Sequence, residues 1–221
     1  MAFTEDFTNS GGATQNLTAR AGWSLIAGNA GDAYVGAGSA ALSGSGSGEY
    51  QARCTGQGSA DHRTTVVQTG VDNSFITIRE TDKDNWIGYR NRDGNYQVFK
   101  RVAGTFTQLG TDYAATPSSG SPATVVIEGE GDQIRFTVNG TARCGSPFTE
   151  TFNQTAQGQG IHGRPDAGAA EWLTTFVAEA VGAAAAPTLS SPTASATGVS
   201  GQCQIGVTSD TTGTAYSLRR T

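Results

Sequence analysis

Apolar positions along this chain recur with a period of two, and stretches with helical period are absent. Thr, Val, Ile and aromatic residues gather in short runs bounded by Gly, Asn, Asp and Ser. The runs predict strands over Ala2–Thr8, Trp23–Ile26, Ala33–Leu42, Tyr50–Cys54, Thr64–Thr69 and Phe75–Arg79. Asn85–Arg92 and Tyr96–Val102 flank Asp93-Gly94, a hairpin turn signal. Phe106–Leu109 follows. Thr124–Ile127 and Gln133–Val138 then flank Gly129-Glu130-Gly131-Asp132, and Asn139-Gly140 turns the chain toward Ala142–Cys144. Gly158–His162 and Glu171–Ala178 close the series.

Alternation assigns the faces. Ile134, Phe136 and Val138 share one face of their strand, and Arg135 and Thr137 the other. Ile87 and Tyr89 oppose Trp86 and Arg90. Glu171–Ala178 is apolar on both faces, as a strand in the middle of packed sheets would be. Strands spaced by about 8–12 residues with turns between them predict an all-β, antiparallel two-sheet β-sandwich. A parallel sheet needs crossover helices, and the sequence offers none. The predicted sandwich spans residues 1–182. Ala183–Pro187 reads as a linker, and residues 188–221 as a short β-rich C-terminal segment with strands at Gln202–Val207 and Thr214–Leu218. That segment is too short for a complete immunoglobulin-like core, which takes about 100 residues.

Composition narrows the function classes. Glycine, at 31 of 221 residues, is about twice as frequent as usual, and charged residues are scarce at 15%. A net charge of -5 with scattered basic residues argues against nucleic acid as the main partner. No apolar run reaches the roughly 18 residues of a membrane span. The opening residues, MAFTEDFTNS, carry no charged-then-apolar leader. Arginine outnumbers lysine 12 to 2, which hints at assembly through rigid paired contacts.

Asp84-Asn85-Trp86-Ile87-Gly88-Tyr89-Arg90 and the run Tyr96–Gly110 resemble concanavalin A-like (laminin G-like) jelly rolls. So do Asp132–Gly140, Gly160-Ile161-His162-Gly163 and the closing strand Trp172–Val177. The tail from Pro187 to Gly198, with Gly213-Thr214-Ala215-Tyr216, resembles the start of immunoglobulin-like repeats in bacteriophage structural proteins. This pairing implies a non-catalytic virion structural protein, a capsid decoration or tail appendage with a lectin-like surface-binding domain. It further implies folding in the host cytoplasm, display on the virion surface, other virion proteins as partners, a homo-oligomer such as a trimer, and host or environmental glycans as ligands. The competing expectation is a carbohydrate-binding or glycan-hydrolase module of a bacterial protein.

The candidate site residues follow from chemistry. Carbohydrate binding uses aromatics that cover sugar faces and planar polar groups that meet hydroxyls, so Trp86, Arg90, Tyr96 and Arg79 are the candidates. The alternative is that Trp86 and Tyr96 fill the core or a subunit contact. β-Glucan-cutting enzymes of this fold use acids spaced Glu-x-Asp-x-Glu, with two carboxyls about 5–5.5 Å apart in the retaining case. Glu80-Thr81-Asp82-Lys83-Asp84-Asn85 is a near match. It reads instead as a solvated acidic hairpin, because its intervening residues are polar and it lies between strong strands. Asp82 and Asp84 are candidate oxygen ligands for a calcium ion. His62 and His162, the only histidines, give no zinc ligand set. Gly44-Ser45-Gly46-Ser47-Gly48 matches a nucleophile elbow in letters, but no helix follows it. Three cysteines cannot all pair within one chain. Reduced buried thiols are the default for cytoplasmic folding, and Cys54 with Cys144 is the candidate disulfide. Cys203 is left for a contact between subunits.

Overall fold

The computed structural model describes residues 2–11, 13–39, 41–44, 49–54, 56, 58–163, 172–181, 205–208 and 215–218. The chain divides into two units, Met1–Gly182 and Ala183–Thr221. In chain order the first unit carries β1 (Phe3–Glu5), β2 (Gln15–Asn16), β3 (Trp23–Ala27), β4 (Ala33–Val35), β5 (Leu42–Gly44), β6 (Tyr50–Cys54), β7 (His62–Gln68), β8 (Asp72–Asp82) and β9 (Asn85–Arg92). It continues with β10 (Asn95–Val102), β11 (Thr105–Ala114), β12 (Ala123–Glu130), β13 (Gln133–Val138), β14 (Thr141–Ala142), β15 (Phe148–Thr149), β16 (Gly158–Gly163) and β17 (Leu173–Ala180). Among the described residues, no helix is long and apolar enough to cross a membrane.

These strands form two antiparallel sheets. One runs β14-β13-β12-β7-β17-β5-β4-β2, with β1 also on β17 and β15 on β13; the other runs β11-β10-β9-β8-β16-β6-β3. The fold is the all-β two-sheet sandwich that the period of two predicts. In the second unit, β18 (Ile205–Thr208) and β19 (Ala215–Leu218) pair antiparallel, with Ile205 opposite Leu218. The linker at 183–187, Cys203, residues 45–48 of the Gly/Ser run and the rest of the tail lie outside the described residues.

One apolar core lies between the sheets. Ile76, Ile78, Ile87, Tyr89 and Val98 meet Val66, Val125, Ile127, Ile134, Phe136 and Phe176 there. The rings of Tyr89 and Phe136 sit 5.0 Å apart. Sequence alternation explains most of this packing, since His62, Thr64, Val66 and Gln68 on β7 bury while Arg63, Thr65 and Val67 remain partly exposed. The two central residues of the Asp93-Gly94 and Asn139-Gly140 turns both have positive φ, as tight hairpins require.

Three expectations need correction. The run Ala33–Leu42 is not one strand: β4 and β5 form a hairpin, with Val35 opposite Leu42. The closing strand is not buried on both faces: a register shift between Leu173 and Thr175 brings Leu173 and Phe176 together into the core, and Thr175 and Val177 stay partly exposed. The acidic run is only partly a turn. β8 extends through Asp82, which pairs with Asn85, so Lys83-Asp84 alone make the turn. Glu80 is therefore a strand residue, 2% exposed.

Candidate functional site

The outer face of the seven-stranded sheet carries a second set of packed rings. Phe75, Trp86, Phe99 and Phe106 come from β8, β9, β10 and β11. Phe75 lies 4.8 Å from Trp86, 5.9 Å from Phe99 and 5.6 Å from Phe106. His162 on β16 joins them, 5.1 Å from Trp86. Gly88 pairs with both Thr77 and Phe99 and adds no side chain among the rings.

A row of planar polar groups crosses this aromatic floor. The Arg90 guanidinium sits 5.3 Å from the Phe75 ring centre and 5.0 Å from that of Phe99. It donates to Asn73 Oδ1 at 2.8 Å and to Gln97 Oε1 at 3.0 Å. Gln97 Nε2 donates to Asp112 Oδ2 at 3.0 Å, and Gln108 Nε2 to Asp112 Oδ1 at 2.6 Å. Side chains from four adjacent strands thus hold one another in a line. Asn73, Arg90 and Gln97 are half-buried, and Gln108 and Asp112 are exposed. Such a row presents fixed donors and acceptors at low entropic cost to a hydroxyl-rich ligand.

Two charged clusters flank the rings. Arg101 donates to Glu49 Oε2 at 3.2 Å, pairs with Asp84 Oδ1 at 3.1 Å and approaches His162 Nε2 at 3.2 Å. Glu80 pairs with Arg53 at 2.7 Å and accepts from Thr77 Oγ1 at 2.9 Å. Burial outweighs these partners and holds the Glu80 carboxyl above the usual carboxylate range.

The candidates named from sequence separate. Trp86 and Arg90 lie on the outer face together. Trp86 is fully buried and donates Nε1 to Lys83 O at 3.0 Å, so it is floor and offers no exposed stacking surface. Tyr96 points the other way, into the core, beside Phe136 and Tyr113; burial pushes its hydroxyl up to about 12. Arg79 also turns inward. β16 residues Gly158 and Gly160 face Glu80 and Thr77, so β8 holds an extra residue between them. Arg79 has φ 51° in this bulge, and its guanidinium binds the carbonyls of Glu150 and Gly131. Neither Tyr96 nor Arg79 can touch a ligand on the outer face.

The sequence reading missed Asn73, Gln97, Gln108 and Asp112. A signal for Gln97 existed, because the Asp93-Gly94 turn sets Arg90 opposite Gln97.

The calcium ligands do not fit their role. Asp82 Oδ1 accepts from the Asp84 N–H at 2.8 Å, and both its oxygens accept from Asn85 Nδ2. Asp84 is held by the cations Lys83 and Arg101. Among the described residues, no group of three or more His, Cys, Asp or Glu side chains could hold a metal. The disulfide expectation is also corrected. Cys54 and Cys144 are free buried thiols. Cys54 lies on β6, whereas the Cys144 thiol donates to Tyr96 O on β10. Those strands are four spacings apart, about 19 Å, beyond the roughly 7 Å that a bridge allows between Cα atoms.

No protein-family model and no curated protein matches the sequence. Solved structures do share its fold. The carbohydrate-binding module CBM66 from Bacillus subtilis is similar with a TM-score of 0.50 and 16% identity, over 72% of this chain and 92% of that one. A Bacillus licheniformis β-glucanase gives 0.52 and 11%, over 80% and 97%. The exoplasmic/lumenal domain of VIP36, in its Ca2+/Man3GlcNAc-bound form, gives 0.51 and 10%, over 73% and 84%. At such identities the likeness concerns the fold, a concanavalin A-like jelly-roll β-sandwich.

Proposed function

We propose that this chain is a non-catalytic glycan-binding module that works through the outer face of its seven-stranded sheet. The row Asn73–Arg90–Gln97–Asp112–Gln108, with Arg90 lying over Phe75 and Phe99, carries the reading. It supplies planar hydrogen-bonding groups, fixed in place, on an apolar bed. A carbohydrate-binding module and a sugar-bound domain among the similar folds support it. Catalysis is disfavoured by the state of the acids. Arg53 and Thr77 occupy Glu80, the Lys83-Asp84 turn occupies Asp82, and Lys83 and Arg101 occupy Asp84. Among these three acids, no pair is left free to serve as the two carboxyls of glycoside hydrolysis.

A glycan array combined with a reducing-sugar assay tests this. The expected result is binding of neutral glycans with no sugar released. Absence of any binding, or turnover of any β-glucan, would overturn the proposal.

The finer placement is an oligomeric capsid decoration or tail appendage on a bacteriophage surface, assembled in the host cytoplasm. It rests on the resemblance of the C-terminal segment. Detection of this chain by mass spectrometry in purified particles is the expected outcome, and its absence from them would end that placement.

A further inference from the structure

Beside β1 and β2, on the ten-stranded sheet, a groove of about 710 Å³ opens to solvent. Its volume falls in the range of small-molecule sites. At its floor Glu5 is 7% exposed. Arg20 donates to Glu5 Oε2 at 3.0 Å and to Oε1 at 2.7 Å, and the Phe7 N–H donates to Oε1 at 2.8 Å. The guanidinium also reaches Thr8 O at 3.1 Å and Gln15 Oε1 at 2.8 Å. The one cation and one anion of the lining therefore cancel. Asp6, whose charge acts on Arg20, adds negative potential nearby and disfavours an anion. What the groove offers to solvent is neutral: the Gln15 and Asn16 amides and the hydroxyls of Thr4, Thr8 and Thr14.

The geometry points to a second binding site, for a neutral polyhydroxylated ligand of mono- or disaccharide size. The half-buried ion pair fixes the floor, and Gln15 is held through its oxygen with its amide nitrogen left to donate. This reading stands on the groove's own lining and does not depend on the outer face. Together the two sites would make the module bivalent.

The test is an amide NMR titration of the full chain with cellobiose, lactose and maltose at millimolar concentration, with sodium glucuronate in parallel. We expect at least one neutral disaccharide to shift Thr14–Ala21, with affinity falling about tenfold in Gln15→Ala or Asn16→Ala. Arg90→Ala should leave those shifts intact, which separates failure here from failure of the outer-face site. Retained wild-type affinity in both groove variants, no shift with any of the three sugars, or a shift with glucuronate alone would each overturn the proposal.

Discussion

Arg79 donates its backbone N–H to Nε2 of His62 at 3.1 Å, across the gap between the two sheets. The other ring nitrogen faces Ser59 O at 3.1 Å. His62 is thereby fixed as the neutral Nδ1–H tautomer. Burial, its main cause, lowers the pKa of this imidazole to about 4.

Acid should therefore weaken the fold through His62. The unfolded chain takes up a proton near pH 6.5 and the folded one only near pH 4. The contribution is complete above the first value and is lost as the pH falls toward the second, by about 3 kcal/mol in total. Urea unfolding of wild type and His62→Gln at pH 7 and pH 5 checks this. The wild-type advantage should shrink by about 2 kcal/mol at pH 5. An unchanged advantage would contradict the assignment.

Glu80 runs in the opposite sense. Its folded carboxyl lies above the ordinary value, so its contribution is complete in acid and is lost as the pH rises through the raised pKa. Glu80→Gln should match or exceed wild-type stability at pH 8 and lose that advantage at pH 4. Arg53→Ala leaves the carboxylate without its cation. It should cost about 3 kcal/mol at pH 8, the lower end for a buried pair, since Arg53 keeps 28% of its side chain exposed. Chemical denaturation at the two pH values reads both.

The outer-face row makes a sharp demand on Arg90. Its guanidinium bonds sideways to Asn73 and Gln97 while lying over two rings, which an ammonium group cannot reproduce. Arg90→Ala and Arg90→Lys should both weaken glycan binding by about tenfold or more. Calorimetric titration with the best array ligand measures the effect. Full affinity in the lysine variant would remove Arg90 from the site.

Both described cysteines should be inert in the native state. Burial raises the Cys54 thiol to about 12 and the Cys144 thiol to about 11, so little thiolate forms at neutral pH. Peptide mass spectrometry after iodoacetamide should find these two positions unmodified in folded protein and fully alkylated in urea.

Much of this was written in the alternation of the strands. Ile134, Phe136 and Val138 face the core, and Trp86 and Arg90 share the opposite face of β9 from Ile87 and Tyr89. The place of Tyr96 was legible too. Asp93-Gly94 pairs Asn91 with Tyr96, which puts Tyr96 on the face of Tyr89 and away from Trp86. Arg79 was not legible, because a bulge reversed its direction and no glycine marked the positive φ. Glu80 misled for a related reason. Polar neighbours imitate a solvated turn, whereas the partners that bury it, Arg53 and Gly158, are remote in sequence.

The chain has three tryptophans. Trp23 and Trp172 belong to the core between the sheets, while Trp86 sits among the outer rings, against the Phe75 ring that Arg90 covers. The outer face thus carries its own fluorophore, in contact with one ring of the proposed sugar bed. Replacing the other two indoles with phenylalanine would leave a single emission band through which occupancy of that surface can be followed without any added dye.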